Sequence, residues 1–268
     1  MGNICKKSKV CYNSPQKIKE QNMKILNIQS SVKFSTNVKI RRFANEIEDE
    51  FAEDNFDAPQ ILPFPDNLEP EAPRIILSSA NEDIIFSQIS VDFIIRNRQQ
   101  LSFDECVERI VKRITSIATL LRKISIHEYY YSGIQIQCIR EKLKDDPVLI
   151  LSSEMNRDIS DPSEQQSIYN LAHEETRTVD ETYFVNKRSS ILRDLDLKIS
   201  QDTVPASLRK PLDDRKKIEG ILSIIDVNDR YAYMYSNQVV DIDDLPNKTA
   251  DIIKIVKNEF ESMEKKDV

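Results

Sequence analysis

Hydrophobic positions along the chain change their period several times, and each change predicts an element. Lys24 to Phe34 reads as a strand. Thr36 or Asn37 then caps a predicted helix running to about Phe51, because Ile40, Phe43, Ala44, Ile47 and Phe51 fall at helical spacing. Basic residues (Lys39, Arg41, Arg42) lead that helix and acids (Glu46, Glu48, Asp49, Glu50) trail it, the reverse of what a helix dipole favours. A solvated face explains the split, with a docking face as the sharper reading. Residues 58–73 carry five of the eleven prolines, which fix φ and remove donors, so an extended arm is expected. Ile75 to Ser79 and Ile84 to Ile95 read as two strands. In the second, Ile89, Val91, Phe93 and Ile95 alternate with polar residues.

Ser102-Phe103-Asp104-Glu105 is a capping box that opens the longest helix. Its stripe is Phe103, Val107, Ile110, Ile114, Ile117, Leu121 and Ile124. Val111 and Ala118 widen the apolar face, which favours a helix packed on a sheet over a two-helix seam. Ile126 to Tyr131 and Gly133 to Ile139 read as strands, and Asp146 to Asn156 as a short helix. Residues 157–178 are polar and read as irregular. Paired strands follow over 179–187 and 191–200, joined near Lys187 to Ser190. Gly220 to Val227 is an apolar strand that Asn228-Asp229 turns into Tyr231-Ala232-Tyr233-Met234-Tyr235, read as a second, alternating strand. Asp243 or Asp244 then caps a last helix with Pro246 in its first turn and a stripe from Leu245 to Met263.

Runs of strands with helices available for one face predict an α+β fold with largely antiparallel sheets. The expected organisation is a basic extension (1–22), an α+β half (23–156), a polar connector (157–178), a second α+β half (179–263) and a charged tail (264–268). Segments 84–124 and 218–263 have the same expected order of strand pair and helix, so two similar halves are expected, without residue identity to prove a duplication.

Charge sharpens this division. The chain of 268 residues has a net charge of -7, yet residues 1–24 hold six Lys and one acid, leaving -12 for the remainder. Met-Gly-Asn-Ile-Cys at the start resembles a lipidation site, but Lys6 stands where Ser or Thr belongs. The preferred expectation is translation from Met23, with residues 1–22 an over-called extension. No run approaches the roughly 18 apolar residues of a membrane-spanning helix. An acidic balance argues against a nucleic-acid coat. Arg209-Lys210 and Arg215-Lys216-Lys217 are diluted by Asp213 and Asp214 and read as a solvated loop.

Only three glycines occur, at positions 2, 133 and 220, so neither GxGxxG nor GxxxxGK[ST] can be written. No cofactor is expected. Cys5, Cys11, Cys106 and Cys138 and the two histidines lack CxxC or HxxxH spacing, so no closed zinc site is expected. His173-Glu174-Glu175 offers a general base or metal ligands. Asp226, Asn228 and Asp229 at a strand end offer Mg²⁺ ligands, set against simple turn formation. Asp241, Asp243 and Asp244 lack the glycine and distal Glu of an EF-hand and read as caps. Tyr231, Tyr233 and Tyr235 on one strand face offer an interface.

From Met23 to Met263 the chain resembles a sporadically distributed prokaryotic family of about this length without assigned activity. The resemblance rests on Pro73 to Ser79, Phe86 to Phe93, the long helix, Thr182 to Asn186 and Gly220 to Asn228. It implies an architecture, a prokaryotic source and, since such families travel on mobile elements, a part in phage defence or an interacting pair. It carries over no active site. The leading expectation is a cytoplasmic, non-enzymatic protein-interaction component, binding another protein or a second copy of itself. The alternative is a metal-dependent hydrolase or nuclease using Asp226, Asp229, His173 and Glu174.

Overall fold

The structure, a computed structural model, describes residues 23–141, 143, 145–159, 161, 168, 171–192 and 220–266. The 1–22 extension and the basic loop at 209–217 lie outside these. The strands are β1 (Met23–Lys33), β2 (Gln60–Ile61), β3 (Ile75–Ser78), β4 (Glu82–Phe86), β5 (Ser90–Arg96), β6 (Glu128–Tyr129), β7 (Tyr131–Arg140), β8 (Ala172–Val179), β9 (Tyr183–Leu192), β10 (Gly220–Asn228) and β11 (Val240–Asp241). The α-helices are α1 (Ala44–Glu50), α2 (Phe103–Lys123), α3 (Pro147–Glu154), α4 (Arg230–Ser236) and α5 (Leu245–Lys266). Nine strands form one sheet in the order β2-β3-β4-β5-β1-β7-β10-β9-β8, and every described pairing is antiparallel. β11 and β6 make a separate two-stranded ribbon. The fold is therefore α+β.

Alternation decides which face is covered. In β1, Ile28, Ser30 and Val32 are buried, while Asn27, Gln29, Ser31 and Lys33 between them are half-buried. Ile25 and Ile28 are three apart and would point to opposite faces. A bulge between Ile25 and Asn27 restores both to the core and leaves Leu26 exposed. Buried Asn97 holds this irregular stretch. Its backbone N–H donates to the Leu26 carbonyl at 3.0 Å, and its side-chain amide donates to the carbonyls of Ile25 (3.1 Å) and Leu101 (3.0 Å). α2 lies against β1 and β5, and α5 against β7, β10 and α2. Ile110, Ile114, Ile117 and Leu121 of α2 and Ile252, Val256 and Phe260 of α5 complete the core over Ile134, Ile136, Ile225 and Val227. The capping box is formed: the Ser102 side chain accepts from Glu105 N–H, and Ser102 N–H donates to the Glu105 carboxylate at 2.7 Å.

Six local expectations are corrected. The helix expected from Thr36 to Phe51 is a 3-10 turn (Ile40–Phe43) followed by α1, with Asn37 spending its side chain on Lys39 N–H. The strand expected over Ile84 to Ile95 is broken at Ser87, whose hydroxyl accepts from Ser90 N–H at 2.9 Å and Ile89 N–H at 3.2 Å. A serine offering the backbone these bonds makes a hairpin between β4 and β5. Val111 is 42% exposed, so it widens no buried face. Within the polar stretch 157–178, residues 172–178 belong to β8, paired along its length with β9. β9 runs unbroken through Lys187–Ser190, and the reversal instead falls at Asp180 and Glu181, both at positive φ (51° and 46°). The last helical run opens one turn earlier than expected, with a 3-10 turn (Ile242–Asp244) leading into α5 and Asp241 as the cap of that turn, accepting from Asp243 N–H at 2.9 Å. The part of the expected strand beyond Leu192 lies outside the described residues.

The expected halves share one sheet, joined where β7 pairs with β10. Segment 84–124 is two strands and a helix, whereas 218–263 is a strand, a helix, a short strand and a helix, so the halves are not alike in order. Residues 264–266 continue α5.

Candidate functional site

The sheet face opposite α2 and α5 has a polar centre, and strand register fixes its layout. Residues directly opposite on antiparallel strands point to the same face. Across β10, β7 and β1 the pairing gives two rows on that face: Asp226, Gln135 and Gln29, then Asn228, Gly133 and Ser31. A third row, Tyr131 beside Lys33, is completed by Arg230, whose guanidinium lies 5.6 Å over the Tyr131 ring. These residues line a cavity of about 240 Å³. Its middle is Gly133. Glycine is needed there for space and not for backbone freedom, since its φ is not positive and a Cβ would sit 2.8 Å from Asn228 Cβ. The missing side chain at the centre of the grid makes the depression.

Hydrogen bonds fix the rim. Asp226 accepts from the amides of Asn186 (3.1 Å) and Asn228 (3.2 Å), so its carboxylate is held in place with acceptor capacity to spare. Ser31 donates to Asp92, and Gln29 donates to the same carboxylate at 3.3 Å. Among the described residues neither Lys33 nor Arg230 forms an ion pair.

The four expected metal or catalytic residues do not converge. Asp226 faces the cavity. Asp229, at the same strand end, turns to the other side and is buried beneath it, 4% exposed, with its carboxylate accepting from Ser132 N–H at 2.5 Å and Ser132 Oγ at 3.4 Å. Burial pushes the Asp229 carboxyl up to about 6, against the Ser132 bonds and the pull of Lys248. His173 and Glu174 are consecutive on edge strand β8 and so point to opposite faces. Glu174 shares a face with Asp226 but lies two strands and two residues away, about 12 Å between Cα atoms by strand geometry. His173 joins Glu175, Lys187, Arg140 and Glu154 around a cavity of about 100 Å³ under α5. There Glu259 takes Lys187 at 3.0 Å and Arg177. Burial pushes Glu259 up, but Lys187 and Arg177 outweigh it and hold the carboxyl below the ordinary range. Among the described residues no group of three His, Cys, Asp or Glu is placed to hold a metal.

The tyrosine strand is corrected outright. Residues 230–236 are α4, ended by Asn237 at positive φ (50°). A tyrosine at every second position satisfies a helix as well as a strand: Tyr231 and Tyr235 sit i,i+4 with ring centroids 4.5 Å apart, while Tyr233 points elsewhere and stacks on Tyr130 at 4.9 Å. Phe184 packs edge-on against Tyr231 at 5.3 Å. The helix is thus pinned beside the polar cavity, with Tyr235 67% and Met234 51% exposed.

Gln29, Ser31, Lys33, Gly133 and Gln135 carry no sequence signal of a site. Polar residues at outward positions of half-buried strands are expected whether or not they line anything. The sole hint was a glycine inside a strand, which marks close approach or a vacancy.

The fold and site together define an α+β protein built on a nine-stranded sheet, with α2 and α5 on one face and a polar, glycine-centred cavity flanked by α4 on the other. The chain matches no protein-family model and no curated protein. No described helix is long and apolar enough to cross a membrane.

Proposed function

We propose that this is a non-enzymatic binding protein of the cytoplasm that docks a protein partner on the α4 end of its sheet. The observation carrying this reading is the state of α4. Tyr231 and Tyr233 are spent on rings packed against the sheet, whereas Met234, Tyr235 and, just beyond, Val239 stand exposed as an apolar patch. Aromatic and Met side chains are enriched at interfaces, and Tyr235, already packed on the Tyr231 ring, has less rotamer entropy to lose on docking. The resemblance to a sporadically distributed family supports seeking the partner among products of neighbouring genes, phage-defence systems included. Hydrolysis at Asp226, Asp229, His173 and Glu174 has no comparable support, since two of the four face each side of the sheet.

The test is photo-crosslinking from position 235 in the full chain, expressed in its own host. One adduct of fixed mass, abolished by Met234→Glu, is the expected result. An adduct of twice the chain mass identifies a homodimer. Absence of any discrete adduct, with a control position on α5 behaving alike, refutes the reading.

A further inference from the structure

The cavity on the open face has two chemically distinct ends. At one end Lys33 and Arg230 flank Tyr131, and neither cation is paired with a carboxylate among the described residues. At the other end Asp226 lies in register with Gln135 and Gln29. The ends are four residues apart along the strands, roughly 13 Å between backbones, and side chains from both ends shorten that span. Two cations that flank one ring and have no carboxylate partner among the described residues suit a dianion with several acceptor oxygens better than a single carboxylate. A carboxylate beside primary amides suits hydroxyl groups, because a hydroxyl donates to the former and accepts from the latter. Asp226 is preset for this by Asn186 and Asn228, which already hold it. The volume, about 240 Å³, lies below the roughly 300 Å³ at which pockets for drug-sized ligands begin, so the occupant is small.

We propose that the Gly133-centred cavity is a binding site for a small phosphorylated sugar. Its phosphate pairs with Lys33 and Arg230, and its hydroxyls bond Asp226 and Gln135. The shared chemistry is a sugar–phosphate, whether free or part of a mononucleotide. This inference is independent of the α4 docking reading, which can fail without affecting it.

The experiment is calorimetric titration of the full chain with ribose 5-phosphate, adenosine 5′-monophosphate, ribose and inorganic phosphate. Ribose 5-phosphate is expected to bind more tightly than ribose or phosphate alone. Tighter binding of the mononucleotide assigns the sugar–phosphate to a nucleotide, and equal or weaker binding assigns it to a free sugar phosphate. Lys33→Glu is expected to weaken ribose 5-phosphate and phosphate alike, by about 10- to 100-fold, the worth of a hydrogen bond to a charged group. Asp226→Asn, nearly isosteric, is expected to weaken ribose 5-phosphate while leaving phosphate unchanged. Lys254→Glu on α5 serves as a charge control that leaves both unchanged. No heat with any probe overturns the proposal. So does phosphate binding as tightly as ribose 5-phosphate, or affinity that ignores both Lys33→Glu and Asp226→Asn.

Discussion

Replacing Asp229 by asparagine should stabilise the protein, and only above the pH at which the carboxyl ionises. The side chain is 4% exposed and its carboxyl titrates at about 6, against an ordinary 3.8, with burial the largest cause. The folded state therefore holds a proton that the unfolded chain has released. Its contribution is fully present below pH 3.8 and is lost as pH rises through 6. At 1.36 kcal/mol per tenfold change, the loss amounts to about 3 kcal/mol by pH 8. The amide introduced by Asp229→Asn would keep an acceptor for Ser132 N–H and carry no charge to desolvate. Urea unfolding of both proteins at pH 4, 5.5 and 8 measures the difference. Burial also acts on Asp54, but Lys112 and Arg113 outweigh it and hold that carboxyl low; Asp54 and Glu259 thus lose stability toward acid. They do so equally in both proteins and cancel. The variant's relative stability should rise by about 2.5 kcal/mol between pH 4 and pH 8, since part of the roughly 3 kcal/mol is already lost at pH 4, just above 3.8. A difference that stays constant across this range refutes the assignment of the buried charge.

Three further outcomes follow from contacts of named residues. Asn97→Ala strips a bond from the buried Ile25 carbonyl at the β1 bulge and two from the part-buried Leu101 carbonyl and N–H ahead of α2, and should cost about 2–4 kcal/mol in urea unfolding, since an unsatisfied buried group costs about 1–3 and a part-buried one less. Arg74 is fully buried and donates to the carbonyls of Ala72 (2.8 Å), Glu69 (3.2 Å) and Leu68 (3.3 Å). Arg74→Met should release the proline-rich arm, seen as faster amide exchange over residues 60–72 with little change in β7. Ser102→Ala removes the capping hydroxyl of α2 and should cost about 1 kcal/mol, with exchange quickened in the first turn of that helix only.

The parts of the fold written in local chemistry were legible in the sequence. β1, β10 and α2 with its capping box appear where periodicity and caps place them, and α3 falls inside the short helix expected over Asp146 to Asn156. Residues whose state is set from across the sheet were not. Ala172 to Thr178 reads as a polar loop because β8 is an edge strand, and six of its eight residues are exposed, leaving no apolar alternation to detect. The tyrosines misled for a different reason. A period of two over five residues also places i and i+4 together on a helix, and a helix is what forms, with Tyr231 and Tyr235 in ring contact. The cavity was illegible because its defining feature is the pairing of Gly133 with Ser31 and Asn228, residues about a hundred positions away on either side.

The first described strand of the chain is also a central one. β1 needs β5 and β7 as neighbours, and its contact with β7 pairs Lys33 with Tyr131. During synthesis β1 must therefore leave the ribosome and wait, with both edges unpaired until β5 follows and with its β7 edge unpaired until α2 has followed as well. Such distant pairing carries a high loop-closure cost and slows folding. A nascent chain stopped at Lys123 could complete β1 on the β5 side only. The half-made sheet would then offer a long free edge to any passing strand. Production of this protein should thus depend more on translation pace and on chaperones that shield edges than its final stability would suggest.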